Sequence, residues 1–89
     1  MNESSWFLYV VKCSDDSLYT GVTTDVKRRL HEHNTSPRGA KYTRSRRPVV
    51  LVYCKTYKNR SDAQKAEFKF KSLRRSQKLA KIKENIRMF

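Results

Sequence analysis

The stretch WFLYVVKCSDDSLYTGVT at residues 6–23 decides the fold of this chain. Its two halves, Trp6 to Lys12 and Ser17 to Thr23, are rich in aromatic and β-branched residues, which favour strands. Between them, Ser14 to Ser17 form a cluster of turn-forming residues. The stretch therefore predicts a β-hairpin with Tyr9 on its first strand and Tyr19 on its second.

The segment after the hairpin has the spacing of a helix. Asp25 is a favourable N-cap residue, and we expect the helix to end near Asn34. By the i, i+3, i+4, i+7 rule, one face of this helix carries Val26, Arg29, Leu30 and His33. An arginine and a histidine one turn apart therefore share the face that carries the apolar residues.

The middle of the chain is basic and then apolar. Residues 35–47 show no sustained period, which predicts a long basic loop or irregular segment, and such loops often carry function. Pro48 then opens an apolar run, Val49 to Tyr53, that suits a strand buried on both faces. We expect this strand in the middle of the hairpin sheet or against it.

Two helices are predicted in the last third of the chain. Ser61 to Gln64 match a capping box, and Ser76 can cap the last helix. The first helix has an apolar stripe of Ala63, Ala66, Phe70 and Leu73, and the second has one of Leu79, Ile82, Ile86 and Phe89.

The predicted order is strand, strand, helix, strand, helix, helix. It indicates an α+β domain in which three helices flank a small three-stranded antiparallel or mixed sheet. The 89 residues have room for a single domain, which we expect to span residues 1–89. A chain this short is expected to offer a surface cleft rather than a large enclosed pocket.

Positive charge dominates the composition. Lys and Arg number 21 against 8 Asp and Glu, which gives a net charge of +13. Lys12 is the only basic residue before Lys27, so the charge is also segregated. This pattern favours a polyanionic partner, nucleic acid above all, and predicts binding that weakens steeply with salt.

Cysteine usage and hydropathy indicate a cytoplasmic protein. Cys13 and Cys54 are too few for a disulfide framework and lack the spacing of a zinc site, so we expect two thiols. The apolar run Trp6 to Val11 is too short for a signal peptide and follows an acidic start. Nothing in the sequence predicts a membrane span or anchor.

Glu67 falls on the apolar stripe of its helix, where a carboxylate needs a partner. One interpretation is structural, because Lys71 or Arg74 can reach it by helical spacing. The other is functional, because a single carboxylate completed by water and substrate phosphate is a common way to hold Mg²⁺.

Arg29 and His33 allow the same two interpretations. Arg29 can form an ion pair with Glu67 or Glu32, or it can offer its fork of donors to a phosphate oxygen. His33 can be a structural histidine, or it can bond a phosphate, a phenol or a leaving group.

Tyrosines on strands are ordinary core residues, and on those grounds alone Tyr9, Tyr19, Tyr42 and Tyr53 are unremarkable. A phenol is a poor base near neutral pH unless nearby cations lower its pKa.

Taken together, these residues resemble the GIY-YIG nuclease domain from about Trp6 to the last helix, and the length and basic charge resemble its small single-domain members. The family's first motif ends in a tyrosine, which falls on Tyr9. Its second motif, tyrosine-apolar-glycine, falls on Tyr19 to Gly21. The chain departs from the motifs at Phe7, Leu8 and Thr20, which affect backbone and packing alone.

Three further family positions match in order. The family's arginine falls on Arg29, its histidine or tyrosine one turn later falls on His33, and its metal-binding glutamate falls on Glu67. The resemblance implies that this glutamate holds one divalent ion, Mg²⁺ or Mn²⁺.

The activity that the resemblance implies is endonucleolytic hydrolysis of phosphodiester bonds in nucleic acid, with DNA favoured over RNA. Tyr9 would act as general base toward a water, or Tyr19 would orient that water. Arg29 would stabilise the charge that develops on phosphorus, assisted by His33 and Tyr42. The nucleic-acid backbone would be held by Arg28, Arg38, Lys41, Arg44, Arg46, Arg47 and Lys71.

Two other classes of function stay open. In one, the fold is a non-catalytic nucleic-acid-binding module within a repair or ribosome-associated complex. In the other, it is a protein-interaction adaptor, which leaves the positive charge unexplained. For a nuclease of one domain, target specificity would come from the domain itself or from a partner protein.

Overall fold

The structure, a computed structural model, describes residues 5–87, with side chains through Asn85. Its elements are β1 (Trp6–Lys12), β2 (Leu18–Thr23), α1 (Val26–Thr35), α2 (Lys41–Arg44), β3 (Val50–Tyr57), α3 (Arg60–Lys71) and α4 (Arg75–Arg87). The prediction of one domain over residues 1–89 reaches beyond this described part at both ends and stays a prediction.

The three strands form one antiparallel sheet in the order β2-β1-β3. The central strand is β1, in which Leu8, Tyr9, Val10 and Val11 are each at most 2% exposed. Tyr9 lies opposite Gly21 on β2 and opposite Cys54 on β3. The predicted α+β class with a three-stranded sheet is confirmed.

β3 is an edge strand, so the prediction of a strand buried on both faces and central in the sheet was wrong. Val50 and Leu51 are 53% and 36% exposed. An apolar β-branched run indicates a strand but does not reveal its neighbours. The alternative expectation, packing against the hairpin, is confirmed by the pairing of β3 with β1.

α1 forms where predicted. Asp25 Oδ1 accepts a hydrogen bond from the Arg28 amide at 3.0 Å, and the helix ends at Thr35. The expectation of irregular structure over residues 35–47 was wrong at α2, a single turn. One turn is too short to display a hydrophobic period, which is why the sequence pattern gave no sign of it.

The capping predictions for the last two helices were each wrong by two residues. α3 is capped by Asn59, whose Oδ1 accepts from the Asp62 amide at 2.8 Å, and not by Ser61. Asn is as good an N-cap as Ser, so the pattern alone favours neither. Ser76 lies inside the first turn of α4, and Gln77 Oε1 accepts from the Arg74 amide at 2.9 Å instead.

Side chains of β1 alternate between two hydrophobic clusters on opposite faces of the sheet. One cluster contains Leu8, Val10, Phe70 and Ile82, and the other contains Tyr9, Val11, Cys13 and Val49. Consequently α3 and α4 cover one face, while Leu30 and His33 of α1 cover the face of Tyr9.

The predicted stripe of α3 is confirmed, since Ala63 and Phe70 are buried and Ala66 and Leu73 pack against the core. On α4 only part of the stripe is observed. Ile82 is 6% exposed and belongs to the apolar cluster with Leu8, but Leu79 is 42% exposed. The Ile86 side chain and Phe89 lie outside the described residues.

Cys13 is buried and Cys54 half-buried, and both are free thiols as expected. Within residues 5–87, no helix has the length and apolar character needed to cross a membrane.

The side-chain amides of two asparagines each form two hydrogen bonds with the backbone of a residue distant in the chain, one to its N–H and one to its C=O. Asn34, near the end of α1, accepts from the Val49 amide at 2.7 Å and donates to the Val49 carbonyl at 3.1 Å. Asn85 on α4 makes the same pair of bonds with Cys54 on β3, at 3.4 and 3.3 Å. Val49 is 2% exposed, so its backbone groups have no access to replacement water partners.

We therefore expect Asn34→Ala to lower the free energy of unfolding by about 1–3 kcal/mol, the usual cost of leaving buried backbone groups unpaired. Asn85→Ala is the matched control and should cost less, because its bonds are longer and Cys54 is only half-buried. Urea denaturation followed by circular dichroism measures both values. Equal losses would contradict this account of Asn34.

Candidate active site

Three buried side chains form a hydrogen-bonded chain across β1, α1 and α2. The Tyr9 hydroxyl lies 2.8 Å from His33 Nε2, and His33 Nδ1 lies 2.8 Å from Thr43 Oγ1. The Thr43 hydroxyl donates to the Ala40 carbonyl at 2.9 Å. Each of the three side chains is at most 2% exposed. The Tyr9–His33–Thr43 chain is therefore largely shielded from bulk water, and Tyr9 is its one member with any exposed surface.

The direction of these bonds follows from the Thr43 hydroxyl, which has a single proton. Because that proton goes to the Ala40 carbonyl, Thr43 Oγ1 can only accept from His33. His33 therefore carries its proton on Nδ1, and its Nε2 accepts a hydrogen bond from the Tyr9 hydroxyl. In this tautomer the Tyr9 hydroxyl is the hydrogen-bond donor and His33 Nε2 is the acceptor.

Burial keeps this chain neutral. It raises the pKa of Tyr9 to about 12, against the lowering effect of the Arg29 guanidinium nearby. It also lowers the pKa of His33 to about 4, an effect that the positive charge of Arg29 reinforces. The shared proton therefore resides on the phenol in this structure.

Gly21 makes room for the Tyr9 phenol on the neighbouring strand. A Cβ placed at Gly21 would lie 2.6 Å from Tyr9 Oη and 2.8 Å from its Cζ. The need for glycine is steric, since the two residues face each other across β1 and β2.

Arg29 lies at the entrance to the chain, with its side chain 24% exposed. Its Nη1 donates to Glu32 Oε1 at 2.9 Å and to the Arg38 carbonyl at 2.9 Å. Of the two ion pairs considered from the sequence, the structure contains the one with Glu32. These contacts fix the guanidinium beside Tyr9, where its charge acts on the phenol.

Glu67 forms an ion pair with Lys71, whose Nζ lies 3.0 Å from Oε2. Its side chain is 22% exposed, and its negative charge contributes to the raised pKa of Tyr9. Both interpretations of Glu67 thus keep support, because the carboxylate has a lysine partner and also lies close to Tyr9.

The donor set near Glu67 suits a hard divalent cation with few protein ligands. No three His, Cys, Asp or Glu side chains come together within the described part of the chain. Glu67 would therefore supply the protein oxygen, and water and phosphate oxygens would supply the others, which is the usual arrangement for Mg²⁺. Lys71 is 54% exposed and can swing away from the carboxylate.

Tyr19 and Tyr42 extend the site toward the surface. The Tyr19 ring meets His33 edge-on at 5.2 Å and stacks on Tyr42 at 6.0 Å. The Arg46 guanidinium lies 4.0 Å from the Tyr42 ring centre and is held there by Asp15, at 3.0 Å. Tyr42 is 40% exposed, so this stack reaches solvent.

The basic residues expected to hold nucleic acid fall into two groups. Four contact the protein itself: Arg28 with Glu32, Arg46 with Asp15, Lys71 with Glu67, and Arg47 with the carbonyls of His33 and Ser36. The side chains of Arg38, Lys41 and Arg44 are exposed around α2. The exposed group is the one available to a polyanion in this structure.

Sequence reasoning missed Thr43 and Asp15. Thr43 lies in the segment without a period, and a threonine there carries no signal of its own. Asp15 appeared only as a turn residue, and its bond to Arg46 spans 31 positions. Contacts between residues so far apart in the sequence depend on the tertiary fold, and local sequence patterns do not reveal them.

The chain is a small α+β domain with a buried tyrosine–histidine pair that lies beside an arginine and close to a glutamate. The profile of the GIY-YIG catalytic domain matches residues 5–80, and the chain belongs to the GIY-YIG family.

Its relatives are small proteins of similar length. A UPF0213 protein of Desulfotalea psychrophila is 49% identical over 85 residues, covering 96% of this chain and 77% of the relative. A UPF0213 protein of Streptococcus agalactiae is 52% identical over 79 residues, covering 89% of each chain.

Two solution NMR structures share the fold. A UPF0213 protein of Bacillus halodurans has a TM-score of 0.55 and 41% identity, over 85% of this chain and 80% of its own. A protein of E. faecalis has a TM-score of 0.63 and 46% identity, over 93% and 88% respectively.

Gly21→Ala should destabilise the domain because the new methyl group displaces the Tyr9 phenol from His33. Tyr9→Phe removes the oxygen closest to that methyl group, so Gly21→Ala should cost less free energy in the Tyr9→Phe background than in the wild type. A double-mutant cycle by urea denaturation measures the difference. An equal cost in both backgrounds would show that the Tyr9 hydroxyl is not the obstacle.

Stability should also depend on His33 through pH. Between pH 6.5 and about 4 the unfolded chain binds a proton on this histidine that the folded chain excludes. The contribution of neutral His33 is therefore complete above pH 6.5 and is lost as the pH falls toward 4. Urea denaturation across this range should show a shallower loss for His33→Gln than for the wild type, whereas parallel curves would refute the assignment.

Proposed function

We propose that this chain is a divalent-metal-dependent endonuclease that hydrolyses phosphodiester bonds in nucleic acid, with DNA preferred to RNA. The main support is the buried Tyr9–His33–Thr43 chain, which provides a proton acceptor for a tyrosine beside Arg29 and Glu67. We further propose that the protein acts in the cytoplasm and that the domain itself or a protein partner selects the target.

Tyr9 is the general base in this proposal, and His33 is its proton acceptor. As a water attacks phosphorus, its proton passes to the phenol oxygen while the phenol proton passes to His33 Nε2. The Nδ1 proton stays directed at Thr43, which stabilises the imidazolium that forms. Tyr19, whose ring lies against His33, orients the water.

The charged groups complete the proposed site. Arg29 stabilises the negative charge that develops on the phosphate oxygens. A divalent cation held by Glu67, when bound, would neutralise phosphate charge and lower the pKa of the attacking water. Tyr42 borders the entrance, where its exposed ring can contact the substrate. Arg38, Lys41 and Arg44 contact the nucleic-acid backbone.

A second candidate is a non-catalytic nucleic-acid-binding module. It is favoured by the ion pairs of Glu67 with Lys71 and of Arg29 with Glu32, which occupy two of the groups that catalysis requires. Metal dependence separates the candidates, because a pure binding module has no need of a divalent ion.

The decisive experiment incubates the purified protein with labelled single-stranded, duplex and branched DNA and with RNA, in Mg²⁺, Mn²⁺ or chelator. Glu67→Gln should abolish metal-dependent cleavage while leaving binding within about twofold, since one neutralised carboxylate adds no repulsion to a polyanion. Glu84→Gln, an exposed acid on α4, is the matched control and should cleave as the wild type does. Binding without cleavage under every condition would support the second candidate.

Thr43→Val should lower the cleavage rate roughly 10–100-fold, as loss of a partner that orients a functional imidazole commonly does. Valine keeps the shape of threonine but cannot accept a hydrogen bond from the Nδ1–H, so the tautomer is no longer fixed. Thr43→Ser restores the acceptor and should recover most of the rate. If serine and valine have the same effect, the hydroxyl has no role in orienting His33.

A further inference from the structure

A second cationic site lies on the sheet face opposite Tyr9. It is a cleft of about 360 Å³ between β3, α3 and α4, with Tyr53, Tyr57 and Leu73 in its floor and Lys55, Lys69 and Lys81 at its rim. We call it the lysine cleft. Tyr53 and Lys55 pair with Val10 and Leu8 of β1, whose side chains face away from the Tyr9–His33–Thr43 chain.

The three lysines come from three different elements and line one cleft. All three are exposed, and none forms an ion pair with a described residue. The acid near them is Glu84, which lines the adjoining surface with Lys55 and Lys81. Three ammonium groups around one cleft repel each other, and an anion bound there would relieve that repulsion.

The floor of the cleft is aromatic and firmly held. The Tyr53 ring packs on the buried Phe70 ring at 5.3 Å, which fixes its position. The Lys55 ammonium lies 5.8 Å from the centre of the Tyr57 ring, so one cation already stands near an aromatic face. Aromatic faces beside a cationic rim are the arrangement that binds single-stranded nucleic acid, by base stacking and phosphate contacts.

From this chemistry we propose that the lysine cleft binds a nucleotide unit, with its base against the tyrosines and its phosphate among Lys55, Lys69 and Lys81. The cleft volume falls in the range of small-molecule sites, roughly 300–1,000 Å³, and so accommodates one unit. The unit comes either from a single strand or from a free mononucleotide. The proposal does not rest on the proposed nuclease activity, because the cleft lies on the other face of the sheet and its binding is measured without cleavage.

The first test uses the wild-type protein in chelator, so that no metal-dependent cleavage occurs. Amide chemical shifts are followed by NMR during titration with thymidine 5′-monophosphate and, separately, with a short oligothymidylate. Shifts along residues 53–57 and 69–73 with both probes indicate a nucleotide site, and shifts with the oligonucleotide alone indicate a site for a strand. If neither probe moves these residues, the proposal is overturned.

The second test separates the cleft from general positive charge. The triple variant Lys55→Gln, Lys69→Gln, Lys81→Gln should bind oligothymidylate roughly tenfold more weakly at physiological salt and with a shallower salt dependence, by about 0.7 in log–log slope for each phosphate that is no longer neutralised. A matched triple, with glutamine at the exposed Lys58, Lys65 and Lys83, removes the same charge outside the cleft and should stay within about twofold. Equal weakening in the two triples would refute a specific site.

The aromatic contribution is tested with Tyr57→Leu and Tyr57→Phe. Leucine removes the stacking face and should weaken binding of oligothymidylate by roughly fivefold or more, whereas phenylalanine keeps it. Neither change should affect an abasic strand of the same length. A loss of affinity that is equal for both strands would exclude base stacking and overturn this part of the proposal.

Discussion

The buried hydrogen bond between Tyr9 and His33 is the constraint on which the rest of the structure depends. It joins the central strand to α1 and requires both groups to be desolvated, which raises the pKa of the phenol and lowers that of the imidazole. Neighbouring residues supply the space and the hydrogen bonds that this pair requires. Gly21 leaves space for the phenol, Thr43 Oγ1 accepts the hydrogen bond from the imidazole Nδ1–H, and Arg47 donates to the His33 carbonyl at 2.6 Å. Residues on β2, on α2 and in the following loop therefore all contact the Tyr9–His33 pair.

A central strand lets a small domain bury polar groups without weakening its core. Because β1 alternates, Leu8 and Val10 join the apolar cluster with α3 and α4, while Tyr9 and Val11 face α1. The hydrophobic stabilisation is concentrated on the first face, and the satisfied polar chain occupies the second. The same separation places the lysine cleft and the Tyr9–His33–Thr43 chain on opposite sides of one sheet.

The sequence predicted the elements whose signals are local. The hairpin, the Asp25 cap and the stripe containing Ala63 and Phe70 depend on neighbours within one or two turns, and all were confirmed. Prediction from the sequence failed where the position of an element depends on residues that are distant in the chain. The apolar run of β3 did not reveal an edge position, because burial of a strand is set by which strands lie beside it. Thr43 was missed for the same reason, since its role exists only once α2 approaches His33.

Three carboxylates of this chain hold cations near the site. Glu32 fixes Arg29, Asp15 fixes Arg46 over Tyr42, and Glu67 holds Lys71. Against a net charge of +13, these pairs leave most basic residues without an internal counterion. Self-repulsion of that size opposes the compact state, and a bound polyanion would remove part of it. Binding of nucleic acid should therefore also stabilise the fold, because any ligand that prefers the folded chain shifts the folding equilibrium toward it. The excess positive charge that attracts nucleic acid would then also make the folded domain more stable with nucleic acid bound than without it.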